Sequence, residues 1–275
     1  MILHPIVGGR TNGGRSLFAI ITALCLMMMY APVLYLLLAS LNPDEQIGLV
    51  APTRYSLTWY IALFEDSRLF RALAESAVVA LASAALATPI GLAAAFAYRA
   101  MTRMRSLFIL VMLATMFVPG TIEGLGLSVI LRLIRVGPSW VTVTLGHLLW
   151  TLPFAIVVSL MGLSAIRSST IAAARDLGAG PIRAFVDVTL PLIRGSLVSS
   201  FVFAFLLSLN EYARAYYLVG RQNTLPLYMF GAMNSGASPT IYAFSGAVLV
   251  ASFVVVALII FRAVRRQSGP PGVSV

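Results

Sequence analysis

The sequence predicts an all-α membrane protein with six transmembrane helices, and three observations carry that prediction. Of its 275 residues, 60% are hydrophobic and only 10% are charged, with a mean hydropathy of +0.94, far too apolar for a soluble domain of this size. Uncharged runs long enough to cross a hydrocarbon core recur along the chain: residues 136–166 and 195–210 contain no Asp, Glu, Lys or Arg. The 19 cationic residues, all of them Arg, gather at the ends of these runs and not on one face. The net charge of +10 is therefore read as topology charge, which excludes a nucleic-acid-binding face.

The first helix is expected over 16–40, after a short N-terminus (1–15) carrying Arg10 and Arg15. Its apolar run exceeds a signal-peptide core and no Ala-x-Ala-like site follows, so it reads as an uncleaved anchor. Cys25 lies inside it, which leaves no partner for an intrachain disulfide or a cysteine metal site. Residues 41–73 carry Pro43 and Pro52, then Tyr55, Trp59 and Tyr60, the pattern of an irregular stretch followed by a short interfacial helix.

The second helix, 74–98, is rich in Ala. Ala87, Gly91 and Ala95 form a ridge of small residues along which another helix can approach closely, from a partner subunit or from this one. The third, 106–131, contains Pro119-Gly120, Glu123, Gly124 and Gly126, a run predicting a kinked or unwound segment that must face protein or a water-filled cavity. A carboxylate at membrane depth costs roughly 2.5–3.5 kcal/mol on insertion scales, so Glu123 should point inward. It either lines a solute pathway or bonds free backbone N–H groups near the outer interface.

The fourth helix, 138–166, holds His147 within Gly146-His147-Leu148, read as a hydrogen-bonding residue near the Pro153 kink, since no second ligand stands at metal-binding spacing. The fifth, 195–219, ends in Asn210-Glu211-Tyr212-Ala213-Arg214-Ala215-Tyr216-Tyr217. Glu211 and Arg214 are three apart and can pair, and Tyr212 and Tyr216, four apart, share a face. This patch is an aromatic belt with a snorkelling Arg, or a pathway lining where Glu211 attracts a cation and the Tyr rings add cation–π contacts. The sixth helix is expected over 238–262 and a cytoplasmic tail over 263–275, of which Gln267–Val275, with Gly269-Pro270-Pro271-Gly272, reads as disordered.

With the N-terminus inside, cytoplasmic segments collect twelve Arg and outer segments seven, and loop 41–73 also holds Asp44, Glu45, Glu65 and Asp66. The positive-inside rule then places both termini and segment 167–194 in the cytoplasm. That segment is the most informative stretch of the chain. Ser168, Ser169 and Thr170 can cap a helix start and Gly178 can stop it. Pro181 can open a second short helix whose Ile182, Phe185, Val186 and Thr189 share one face, before Pro191 interrupts the pattern. An apolar face held off the bilayer requires a protein partner.

The pattern Ala172-Ala173-Ala174-Arg175-Asp176-Leu177-Gly178-Ala179, followed by Val188-Thr189-Leu190-Pro191, resembles the EAA loop of bacterial ABC importer permeases. Ala173, Ala174, Gly178, Leu190 and Pro191 stand in register. Ala172 replaces the motif's Glu, Val188 its Ile, and Gly195 a frequent later Pro. Leu152-Pro153-Phe154, Thr224-Leu225-Pro226-Leu227 and Gly236-Ala237-Ser238-Pro239 extend the resemblance towards the spermidine/putrescine-type branch, which carries an acidic pair where Asn210-Glu211 stands.

The resemblance implies a type I ABC importer permease fold, with residues 16–262 as the permease domain and 167–194 as its coupling loop. Ala172, Ala173, Ala174, Arg175, Asp176, Gly178, Ala179, Phe185, Leu190 and Pro191 are then the ATPase-coupling residues. Glu211, Tyr212, Tyr216 and Glu123 are the candidate pathway residues. It further implies a cytoplasmic ATP-binding subunit pair, a second and non-identical permease, a periplasmic or lipid-anchored binding protein, and an inner-membrane location. ATP and Mg would be bound by the partner ATPase, with no cofactor and no enzymatic activity in this chain. A polyamine is the first expectation for cargo, with an opine, aminophosphonate, thiamine or sugar as alternatives. A stand-alone secondary transporter would show coupling-ion residues in several spans or an internal repeat, and an intramembrane enzyme a nucleophile–base pair; neither pattern is found. Without Lys the chain cannot form a P-loop.

Overall fold

A computed structural model describes residues 12–44, 48–221, 223–236 and 239–267, and all regular structure in them is helical. In chain order the helices are α1 (Asn12–Ala39), α2 (Thr58–Glu65), α3 (Ser67–Ala100), α4 (Arg105–Phe117), α5 (Gly120–Leu133), α6 (Trp140–Ser164) and α7 (Ser168–Asp176). There follow α8 (Pro181–Arg183), a π-helical turn (Ala184–Thr189), α9 (Leu190–Leu209), α10 (Ala213–Leu218), α11 (Leu225–Asn234) and α12 (Pro239–Gln267). His4, Arg10, Glu45, Ala237, Ser238 and the tail from 268 lie outside the described residues, as do the side chains of Arg15, Arg262, Arg265 and Arg266.

The chain forms two compact units, one of Ser67–Gly231 and one of the segments before and after it. In the terminal unit α12 packs on α1 and α2. Gly246 of α12 makes room for this: a Cβ there would lie 2.5 Å from the Tyr60 hydroxyl and 3.1 Å from Ser40 Oγ. Those two hydroxyls are themselves hydrogen-bonded at 2.7 Å. The expected interfacial helix is α2, and Trp59 ties it back by donating to the Asn42 carbonyl at 2.8 Å.

The core of the larger unit is the mutual packing of α3, α6 and α9. Ala84, Ala87, Ala155 and Ala204 form one buried cluster, and Ala95, Leu163, Ile166 and Ile193 another. Between apolar helices in lipid there is little hydrophobic drive, so close contact must come from small side chains. Gly91 meets Ala155 so closely that an added Cβ would lie 2.8 Å from its backbone carbon, and Gly162 receives Ser196 in the same way. The small-residue ridge of Ala87, Gly91 and Ala95 is thus used within this subunit, against α6 and α9.

Four helical stretches among the described residues are long and apolar enough to cross a membrane: Ser16–Ala39, Ser67–Ala100, Trp140–Ser164 and Pro181–Leu209. Three expectations change. The second helix starts at Ser67, absorbing the end of the anticipated outer loop. The third is kinked as the Pro119-Gly120 run predicted, but by 100° at Val118-Pro119 into two separate helices, α4 and α5, which leaves Glu123 in the first turn of a regular helix. The fifth breaks at Asn210–Tyr212, and it also begins earlier, because Pro191 does not interrupt it. A Pro ring clashes with the carbonyl four residues back, and here the π turn absorbs that conflict: the Leu190 N–H reaches back five residues to Phe185. The sixth expected span corresponds to α12, a helix of 29 residues whose apolar part among the described residues, Pro239–Val254, is shorter than the four stretches above.

Candidate functional site

Two places gather the residues singled out from the sequence. The first is the turn between α7 and α8. The N–H of Gly178 bonds the Arg175 carbonyl at 2.9 Å, and that of Ala179 bonds the Ala174 carbonyl at 3.0 Å. This is a Schellman pair, and it needs a left-handed residue, supplied by Gly178 at φ +85°. The start of α7 differs from expectation: Arg167 is the capping position and no side chain caps it. Ala172, Ala173, Arg175 and Asp176 are exposed, and Ala174 and Ala179 half-buried. Leu177 is 90% and Ile182 77% exposed, so the turn presents two large apolar side chains outward. Leu177 stands at a variable place in the loop consensus, so its exposure becomes visible only in three dimensions. Phe185 points elsewhere: it packs edge-on against Phe96 of α3 at 5.7 Å, anchoring the turn to the helical core. Leu190 is half-buried and Pro191 exposed at the start of α9.

The second place is centred on Arg214 of α10. Its Nε donates to Glu123 Oε2 at 2.6 Å and its Nη1 to Glu211 Oε2 at 3.0 Å. The other Glu211 oxygen, Oε1, accepts the Arg214 backbone N–H at 3.0 Å, satisfying one donor that the start of α10 would otherwise leave unpaired. The guanidinium lies over the Trp150 ring of α6 at 4.6 Å, a cation–π contact in a desolvated setting. Trp150 is in turn held edge-on by Phe154, and Phe154 by Phe203. Arg214 is only 4% exposed. Removing one partner of such a buried pair costs about 3–5 kcal/mol, because the survivor keeps a buried charge without its counterion.

Glycines make this convergence possible. A Cβ at Gly120 would lie 2.7 Å from Arg214 Nη1, and one at Gly124 would lie 2.9 Å from Arg214 Cα. One at Gly146 of α6 would collide with Leu218. Gly120 and Gly124 are one turn apart on α5 and open a slot for α10. The same run that read as a helix breaker is therefore a docking groove. His147, one residue past Gly146, is fully buried and hydrogen-bonded through Nδ1 to Ser208 Oγ at 2.7 Å, tying α6 to the end of α9.

Tyr212 and Tyr216 do share a face, with ring centroids 6.0 Å apart. Tyr212 also meets Phe230 at 4.7 Å, and Tyr216 meets Tyr217 edge-on at 5.1 Å. Glu211 and Arg214 pair as their spacing allowed. Glu123 joins them from 91 positions before Arg214, a meeting that no sequence pattern announced.

Residues 87–268 match the family described as binding-protein-dependent transport system inner membrane component. The chain belongs to that family. It is a multi-pass membrane permease subunit of an ABC importer, and ATP hydrolysis is not its own chemistry. Among relatives, it is 29% identical to the putrescine transport system permease protein PotI of Escherichia coli K12 over 248 residues, covering 86% of this chain and 88% of that one. It is 27% identical to the spermidine/putrescine transport system permease protein PotC of Haemophilus influenzae, over 84% of this chain and 90% of that one. In fold the permease resembles a chain from the crystal structure of a bacterial ABC transporter involved in the import of the acidic polysaccharide alginate. The TM-score is 0.64 and the identity 18%, over 95% of this chain and 99% of that one. A second structure, the alginate transporter in complex with an alginate pentasaccharide-bound periplasmic protein, gives 0.63 at 16% identity, over 94% and 96%.

Proposed function

We propose that this permease carries a polyamine across the bacterial inner membrane, as one of two non-identical permease subunits. The observation that carries the reading is the match, along most of both chains, to permeases named for putrescine and spermidine/putrescine. The local chemistry agrees with it: two carboxylates face one guanidinium beside a group of Tyr rings, an arrangement with a formal excess of negative charge. Glu123, Glu211, Tyr212 and Tyr216 are the pathway candidates.

A periplasmic or lipid-anchored binding protein delivers the cargo, and both termini lie in the cytoplasm with segment 167–194. That segment docks on a cytoplasmic ATPase pair, which binds ATP and Mg. Leu177 and Ile182 are the apolar tips that enter the ATPase surface, Arg175 and Asp176 rim the contact, and Ala172 to Ala174 form the helix behind it. The rigid Schellman turn and the Phe185–Phe96 contact transmit ATPase closure to the core of α3, α6 and α9.

The test is ATP-dependent uptake of radiolabelled putrescine by vesicles holding the whole transporter with its binding protein. Uptake blocked by unlabelled spermidine is expected. Uptake of a sugar or a zwitterion with none of putrescine would refute the cargo.

A further inference from the structure

The two carboxylates on Arg214 are not equivalent, and their difference assigns separate roles. Glu211 spends both oxygens locally, Oε2 on the guanidinium and Oε1 on the backbone N–H of the same Arg214. Its side chain is 9% exposed. Glu123 spends only Oε2, at 2.6 Å, and its side chain is 14% exposed; among the described residues Oε1 makes no hydrogen bond. One guanidinium faces two carboxylates, so the three groups together carry one negative charge in excess, and the carboxylate oxygen spent neither on the guanidinium nor on backbone is Glu123 Oε1.

We propose that Glu123 is the carboxylate that contacts the ammonium group of a cationic cargo, and that Glu211 and Arg214 are positioning residues that hold it. This rests on the polyamine reading above and deepens it. Position supports it as well. Glu123 lies in the first turn of α5, where the helix dipole favours an anion, and the 100° bend before Gly120 aims that first turn away from the line of α4. Glu211, by contrast, lies in the break between α9 and α10, and its bonds close that break. A single open carboxylate oxygen can receive one ammonium at a time, so a diamine would pass end first. Arg214 keeps the site from trapping its cargo, since a bare pair of buried carboxylates would bind a dication too tightly to release it.

The test has two arms in the complete transporter. In vesicles, Glu123→Gln should raise the putrescine concentration for half-maximal uptake about tenfold, the scale of one charge-assisted contact, with Glu123→Asp partly restoring it. In a Cys25→Ser background, Glu123→Cys should react with the cationic reagent aminoethyl methanethiosulfonate, and putrescine should slow that reaction. Glu211→Cys should stay unreactive or fail to assemble, as a clamp residue would. Unchanged half-saturation in Glu123→Gln would overturn the assignment, and so would a reactive thiol in Glu211→Cys beside an inert one in Glu123→Cys. If the unaltered transporter takes up no putrescine, the cargo reading fails, and the thiol arm alone then decides the division of roles.

Discussion

Replacing Gly124 by Ala puts one methyl group into the slot that α10 occupies. Its Cβ would lie 2.9 Å from Arg214 Cα, 3.1 Å from the Arg214 carbonyl oxygen and 3.3 Å from Tyr217 Cδ2. Two of those three atoms are backbone and cannot swing aside, so α10 must retreat by about half an ångström to restore ordinary contact. Overpacking of this kind costs about 1–3 kcal/mol. Against it, Ala gains about 1 kcal/mol over Gly in a helix interior. Gly126, two residues further along the same helix, supplies the control, because a Cβ there meets nothing within 4 Å. The propensity gain is common to both variants and cancels. The difference in stability between Gly124→Ala and Gly126→Ala therefore isolates the clash, about 1–3 kcal/mol in favour of Gly126→Ala. The measurement is thermal unfolding of the purified transporter in one detergent, with each variant against the unaltered protein. Gly126→Ala should melt at or above the parent and Gly124→Ala below it. Because α10 carries Arg214, Gly124→Ala should also weaken putrescine uptake. Equal melting of the two variants would show that α10 does not dock in the Gly120–Gly124 slot.

At the turn between α7 and α8, Gly178→Val forces a β-branched residue to φ +85°, at a cost of about 1–2 kcal/mol, and misplaces Pro181 and Ile182. Cargo-stimulated ATP hydrolysis should fall while the subunit still inserts; full stimulation would remove this turn from the ATPase contact. Ala172→Glu, which restores the family's residue on an exposed helix face, should assemble normally, and loss of the complex on co-purification would mean that α7 is packed differently. For membrane topology, Ser168→Cys should resist an impermeant thiol reagent in intact cells and Ser56→Cys should react. The reverse pattern would invert the orientation read from the Arg distribution.

The helical membrane class, the rough positions of most long helices and the Gly178 turn were legible in the chain because each rests on local physics. A hydrocarbon core demands about 20 apolar residues per helix, and a Schellman turn demands a residue at ease with positive φ, so Gly178 announced itself. Where α3 begins was not legible: Ser67 to Leu73 carries two Arg and looked like loop, yet Leu69 and Ala72 are buried in the helix that contains them. Pro191 was misread for a related reason. Its ring forbids regular α geometry, but a π turn satisfies the same constraint without ending the helix, and only the surrounding packing selects between the two.

The candidate site divides along the same line. Sequence alone determined that Glu211 and Arg214, three residues apart, can pair, and that Glu123 should not face lipid. That Glu123, Glu211 and Trp150 all meet on one guanidinium, and that Gly120, Gly124 and Gly146 are the space that admits it, was decided by tertiary structure. The physical reason is that a buried charge specifies that it needs a partner, while the identity of the partner depends on which backbones can approach closely enough to bring it within hydrogen-bonding distance.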